Sequence, residues 1–210
     1  MESQAQALVG TKYGNRRIQL LACLLLATLT AAGCATNGGA LDKTMQAMGL
    51  KSDAAALGKD KPVPLRLFAG DNLNAGSGKR GMALVLRVYH LRSLQRFEQA
   101  PFDAFLDEAR EKTVLGDDLL GSTEILLMPG QKHELVETVA GGASHLGVVA
   151  LFRSPAASRW RFSFDAGKAV KDGITLGMHA CAMTTTSTAL ITTLADEPYS
   201  LASVNCAAKR

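Results

Sequence analysis

Met82–Leu91, "MALVLRVYHL", is the stretch whose reading decides the fold. Leu84, Leu86 and Val88 fall on one face with Met82, while Arg87 and Tyr89 fall on the other. A period of two with one apolar face marks a half-buried antiparallel strand. Working outward, the same texture recurs in "PLRLFA" (64–69), "TEILLM" (123–128), "KHELVETV" (132–139, after the Pro129-Gly130 turn), "HLGVVALF" (145–152), "RWRFSF" (159–164) and "GITLGMHAC" (173–181). In "RWRFSF" the alternation sets Trp160, Phe162 and Phe164 against Arg159, Arg161 and Ser163. Seven such segments, mostly joined by short turns, predict a mainly β, antiparallel β-sandwich.

One segment departs from this texture. "PFDAFLDEAREKTVLG" (101–116) places Phe102, Phe105, Leu106 and Ala109 at helical spacing. Pro101 suits a first turn and Gly116 a C-terminal stop. Asp103, Asp107 and Glu108 come early and Arg110 and Lys112 late, as the helix dipole prefers. The expectation is one amphipathic helix inserted after the second strand, followed by a short helical turn at Asp117–Leu120.

The first two strands are joined by "GDNLNAGSGKRG" (70–81), where a hairpin closes with two to five residues. Only Leu73 and Ala75 in it are apolar, so it reads as exposed and without a part in the core. Its glycines permit unusual backbone angles, and Asp71, Asn72 and Asn74 can bond their own backbone.

The chain of 210 residues carries a net charge of +4, too mild to argue for nucleic acid. The usual catalytic patterns, a GxSxG elbow, HExxH and a P-loop, are missing from the sequence. His90, His133, His145 and His179 are scattered without metal-ligand spacing. His133 and Glu134 are adjacent, and strand alternation sends them to opposite faces. Asp103 and Asp107, at i and i+4, read as surface charge. Neither Gly70–Gly81 nor Gly141-Gly142 precedes a helix N-terminus that would cradle a phosphate. The reading is a non-enzyme without cofactor or metal.

The N-terminus reads as a targeting segment rather than a fold element. Arg16 and Arg17 precede the apolar run Ile18–Ala32, too short for a stable membrane span. It closes on Ala31-Ala32-Gly33-Cys34, small residues directly before a cysteine, the cleavage and acylation pattern of a bacterial lipoprotein. A plain signal peptide cut elsewhere, with Cys34 incidental, is the bland alternative. Ala35 after the cysteine, where Asp would retain a lipoprotein in the inner membrane, points to the outer membrane. Residues 1–33 are thus a signal peptide, 34–62 an acylated tether with a short helix near Leu41–Leu50, and 63–210 the sandwich domain. Cleavage removes Cys23 and lipidation uses Cys34. That leaves Cys181 and Cys206, readable as a disulfide tying the C-terminal tail to the last strand or as two free thiols.

Five stretches in this order resemble the outer-membrane lipoprotein of type VI secretion systems, the TssJ (VasD-like) family. They are "AGDNLN" (69–74), "LVLRVYHLRSLQRFEQAPFDAF" (84–105), "LGDDLL" (115–120), "LLMPGQ" (126–131), and "LGVVALFRSP" (146–155) with "WRF" (160–162). Each also has a plain structural reading: strands, a turn and, in Trp160, a core anchor. The resemblance implies a transthyretin- or immunoglobulin-like sandwich with helical additions, facing the periplasm. It implies binding to the periplasmic C-terminal region of the inner-membrane TssM-type component, which also joins the smaller TssL-type component. It further implies that the loop between the first two strands is the contact, here Asp71, Asn72, Leu73, Asn74, Ala75, Gly76, Ser77, Gly78, Lys79 and Arg80. A periplasmic lipoprotein that binds a small ligand or envelope glycan is the alternative of another class. A transthyretin-like hydrolase is a third, and no His/Arg/Ser set supports it.

Overall fold

The computed structural model describes residues 58–206. The signal peptide, Cys34, most of the tether and its expected helix lie outside the described residues. Eight strands follow in order: β1 Lys61–Ala69, β2 Leu84–Leu91, β3 Leu119–Leu127, β4 Lys132–Val139, β5 His145–Ala150, β6 Arg161–Asp165, β7 Ile174–Met178 and β8 Met183–Thr185. They form two four-stranded sheets, ordered β4-β1-β7-β8 and β3-β2-β5-β6. The alternating apolar residues of both sheets meet between them. Leu65 and Leu67 of β1, Leu84 and Leu86 of β2, Phe162 and Phe164 of β6 and Leu176 of β7 share one fully buried cluster. At about 25 cal/mol per Å² of apolar surface, this burial is the main force holding the sheets together.

Seven strands match the expected segments, with corrections. β1 starts at Lys61, inside the stretch assigned to the tether. Its prolines, Pro62 and Pro64, sit before β7 begins to pair at Leu65, so no ladder bond is lost on that side. The β1–β7 pair is parallel, not antiparallel. The chain between them is long enough for a parallel crossover, and sequence alternation is blind to strand direction. The last segment stops at Met178 and resumes as β8.

The helical insertion is built differently from the single helix expected. α1 (Gln95–Gln99) comes first, then a 3₁₀ turn at Phe102–Leu106, then α2 (Glu108–Leu115). The break is at Asp107, which is extended (φ −128°, ψ 120°) so that its carboxylate accepts from the Arg110 N–H at 2.8 Å. That is an N-cap, and it starts a new helix instead of continuing the old one. Leu106 and Ala109 consequently face solvent. The expected turn at Asp117–Leu120 is a 3₁₀ turn, Gly116–Asp118, that runs straight into β3.

The insertion covers the outer face of β2 and β5. Phe97, Phe105 and Leu115 pack there on Tyr89, Leu91 and Val149 as a second buried cluster. Tyr89, Phe97 and Phe105 meet in mutual tilted and edge-on contacts with centroids 5.6–5.7 Å apart. Gly147 of β5 makes room for this: a Cβ there would lie 2.5 Å from the Phe97 ring. A further helix, α3 (Ala166–Asp172), joins β6 to β7 and is capped by Asp165, which accepts from the Lys168 N–H.

Candidate functional site

The β1–β2 loop is only half exposed. Leu73 is fully buried in the main core, and Asn74, Ala75 and Gly76 are buried with it. Backbone bonds stitch this half to the turn after β7. Gly70 N–H donates to Met178 O (2.9 Å), Asn74 N–H to His179 O (2.9 Å) and Gly76 N–H to Ala180 O (2.8 Å). Asn74 adopts the left-handed conformation (φ 55°) that asparagine tolerates. Its amide donates to Ala83 O at 2.8 Å, and its carbonyl oxygen accepts from the Arg153 N–H at 2.9 Å. The expectation that the loop plays no part in the core is therefore corrected. One apolar residue and one amide were enough to fold half of it onto the domain.

The loop residues that stay exposed are Asp71, Asn72, Ser77, Gly78, Lys79 and Arg80. Two residues outside the expected set stand beside them. Met82 is 45% exposed, outside β2, and the Arg153 guanidinium donates to its sulfur at 2.9 Å. Met82 lost its place in the alternation because the strand begins only at Leu84. Arg153 gave no sequence signal, since its link to the loop runs through tertiary contacts.

Three buried polar clusters hold the frame beneath. Glu111 of α2, 4% exposed, accepts from Arg87 (2.6 Å) and from the Tyr89 hydroxyl (2.8 Å). Burial and the Glu111 charge push the Tyr89 phenol well above its ordinary range. Burial works to lower the Arg87 pKa, but its hydrogen bond to Glu124 and the nearby Glu111 charge outweigh that and keep it charged. Arg87 and Tyr89, i and i+2 on one strand face, were the available signal for an acidic partner. His90 of β2 meets Glu137 of β4 at 2.8 Å, joining the two sheets, and Thr123 donates to the same carboxylate at 2.7 Å. Burial raises the Glu137 pKa, yet the His90 and Thr123 hydrogen bonds win and hold it below the ordinary carboxylate value. Arg159, 3% exposed, donates to Asp196 at 2.6 Å. Cys181 and Cys206 are disulfide-bonded, their Cα atoms 5.5 Å apart.

A cleft of about 470 Å³ lies between α1, the start of β6 and residues 191–193. Its charged and central polar groups, Arg161, Glu98, Ser163 and Thr192, are bonded to the protein. Arg161 donates to the carbonyls of Phe97, Glu98 and Ala100 and covers the Trp160 ring face, 4.7 Å from its centroid. Trp160 lies before β6 and joins the two clusters through Phe102 and Phe105. Among the described residues no three His, Cys, Asp or Glu side chains come together as a metal site. Among those residues, too, no helix is long and apolar enough to cross a membrane.

The family model for type VI secretion lipoproteins (VasD, EvfM, TssJ) matches residues 61–181, more than half of the 210. The chain belongs to this family. The match runs from the first residue of β1 to the first cysteine of the disulfide. Solved structures agree with the type VI lipoprotein in fold. The T6SS lipoprotein TssJ1 of Pseudomonas aeruginosa is 27% identical with a TM-score of 0.52, over 61% of this chain and 96% of its own. Serratia marcescens Lip, a membrane-bound component of the type VI secretion system, is 24% identical with a TM-score of 0.52, over 60% and 96%. A chain of a structure titled "Type VI membrane complex" is 20% identical with a TM-score of 0.54, over 60% and 97%. No curated protein sequence matches significantly. The type VI lipoprotein family is structural and is not known as a family of enzymes.

Proposed function

We propose that the chain is the outer-membrane lipoprotein of a type VI membrane complex, acylated at Cys34 and held by a tether of residues 34–60. It anchors the complex by binding the periplasmic region of a TssM-type inner-membrane component, and through it a TssL-type component. The family match over residues 61–181 carries this reading. Supporting it, one matched chain sits in a structure titled for a type VI membrane complex and another in one titled for a TssM C-terminal domain. Two acyl chains or more on a processed cysteine give stable anchoring, where one gives only reversible binding.

The partner contact is the exposed part of the β1–β2 loop, Asp71, Asn72 and Ser77–Arg80, while Leu73–Gly76 fix its shape from below. Loops on a rigid frame are where binding residues concentrate. A triple Asn72→Ala, Lys79→Ala, Arg80→Ala variant is expected to keep the wild-type melting temperature. It is expected to weaken capture of the TssM-type periplasmic region at least about tenfold, or ~1.4 kcal/mol. Unchanged capture, measured by biolayer interferometry, would remove the loop from the interface. Cys34→Ser is expected to shift the protein from the outer-membrane fraction to the soluble periplasm. Continued sedimentation with outer membranes would refute the anchor.

A further inference from the structure

We propose that residues 186–206 form a strap, latched by the Cys181–Cys206 disulfide, that occupies the free edge of β6 and keeps it from pairing with β6 of a second copy of this chain. β6 is the last strand of its sheet, so one side of it has no strand neighbour. The strap supplies the missing partners. Ile191 N–H donates to Ser163 O at 2.8 Å, Asp165 N–H to Ala189 O at 2.9 Å, and Ser163 N–H to the Thr192 hydroxyl at 2.7 Å. Leu190 sits opposite Phe164 as an isolated antiparallel bridge.

Beyond Ala189 no strap residue is fully buried. Leu190 and Leu194 rest on the main core and Leu201 and Val204 on Ala156, Cys181 and Ala182, each half-exposed. Polar and covalent bonds add to this. The buried Arg159 guanidinium grips Asp196 Oδ1 at 2.6 Å, Glu197 O at 3.0 Å and Pro198 O at 3.2 Å. Pro198 O also accepts the Thr185 N–H at 2.9 Å, which ties the strap to β8, and the disulfide closes the far end. A segment with few buried apolar contacts opens at low cost unless something fastens it. The strap follows the last residue matched to the family, and the latch uses that residue.

An open β edge presents a row of unpaired N–H and C=O groups and is a template for another strand. The β6 edge is self-complementary. Set antiparallel about Ser163, the sequence "RFSFD" places Arg161 opposite Asp165 and Phe162 opposite Phe164 of the other copy. Paired aromatics across strands are favourable, Arg161 and Asp165 keep the bonds they already make, and the two-fold arrangement closes on itself as a dimer. The second copy is therefore the partner this edge fits once bare.

The test compares the full-length oxidised protein in detergent with a Cys181→Ser/Cys206→Ser variant. Hydrogen exchange at the Ser163, Asp165 and Ile191 amides and sedimentation across a concentration series are the readouts. In the wild type these amides are expected to be protected and the protein monomeric. In the variant, at concentrations where it is monomeric, they are expected to exchange at least about tenfold faster while Val88 and Val148 stay protected, and Ser163 and Asp165 to regain protection as it dimerises. The variant is also expected to dimerise with rising concentration. Ile191→Pro removes one strap donor without touching the cysteines, and the same dimer is expected from it. Unchanged exchange in the cysteine variant overturns the latch. Freed amides with a monomer at every concentration, in both variants, overturn the edge guard.

Discussion

Asn74 does what no other residue of its loop can. It combines a left-handed backbone with an amide that both donates and accepts, joining Ala83 to Arg153 across the base of the loop. Asn74→Ala removes both bonds, leaves the Ala83 carbonyl and the Arg153 N–H to find water, and places at positive φ a residue that tolerates it less well than asparagine. The expected loss is about 1–3 kcal/mol by urea denaturation. Its neighbour Asn72 is exposed, and Asn72→Ala is expected to stay within about 0.5 kcal/mol. Glu137 gives a pH-dependent counterpart. Despite burial, its hydrogen bonds to His90 and Thr123 hold its folded pKa below the ordinary carboxylate value, so folding favours its charged form. That stability is present in full above the unfolded value and is lost as pH falls through the lowered one. Glu137→Gln should therefore flatten the acid limb of the stability curve below about pH 4.5, seen as a urea midpoint that no longer drops as steeply as in the wild type. An unaltered acid limb would mean that folding does not favour the charged form of Glu137.

At the scale of elements, what could be read from the chain was what one face decides. β1, β2 and β7 carry apolar residues at every second position, so their identity as strands was legible. The inserted helices were less so, because their boundary depends on a cap. Asp107 could have continued a helix, and only its bond to Arg110 shows that it starts one. The short α1, five residues long, carries one buried side chain, Phe97, too few for a periodic signal. The parallel β1–β7 pair and the strap on β6 are products of tertiary placement that no local pattern encodes. Of the loop, its position between strands was visible and its buried half was not, since Leu73 and the small Ala75 stand among glycines and polar residues without a period. The fit of α1 to its sheet can be tested at Gly147. Gly147→Ala would push a methyl into the Phe97 ring, with an expected loss of about 1–3 kcal/mol on thermal or urea unfolding. Gly121→Ala, whose Cβ would lie at an ordinary 3.5 Å from His90, should cost less.

At the scale of the whole molecule, the two buried clusters divide the labour. One binds sheet to sheet, and the other fixes the helical cover to the outer face of β2 and β5. β1 lies inside its sheet, between β4 and β7, and leads directly from Lys61 to the loop at Gly70. With the membrane anchor before Lys61 and the partner on the loop, as proposed, any tension between them crosses the domain along this one strand. The strand is already drawn out at about 3.3 Å per residue, roughly 30 Å in all, near the limit of an extended backbone. Tearing the sandwich apart would lengthen that path by only a few Å, so the fold behaves as an inextensible link and has almost no slack to give. Held in an optical trap at Lys61 and Asp71, it should show no unfolding step. Held at Lys61 and Ser163, across the sandwich and before the disulfide loop begins at Cys181, it should unravel by tens of nanometres at about 3.5 Å per residue.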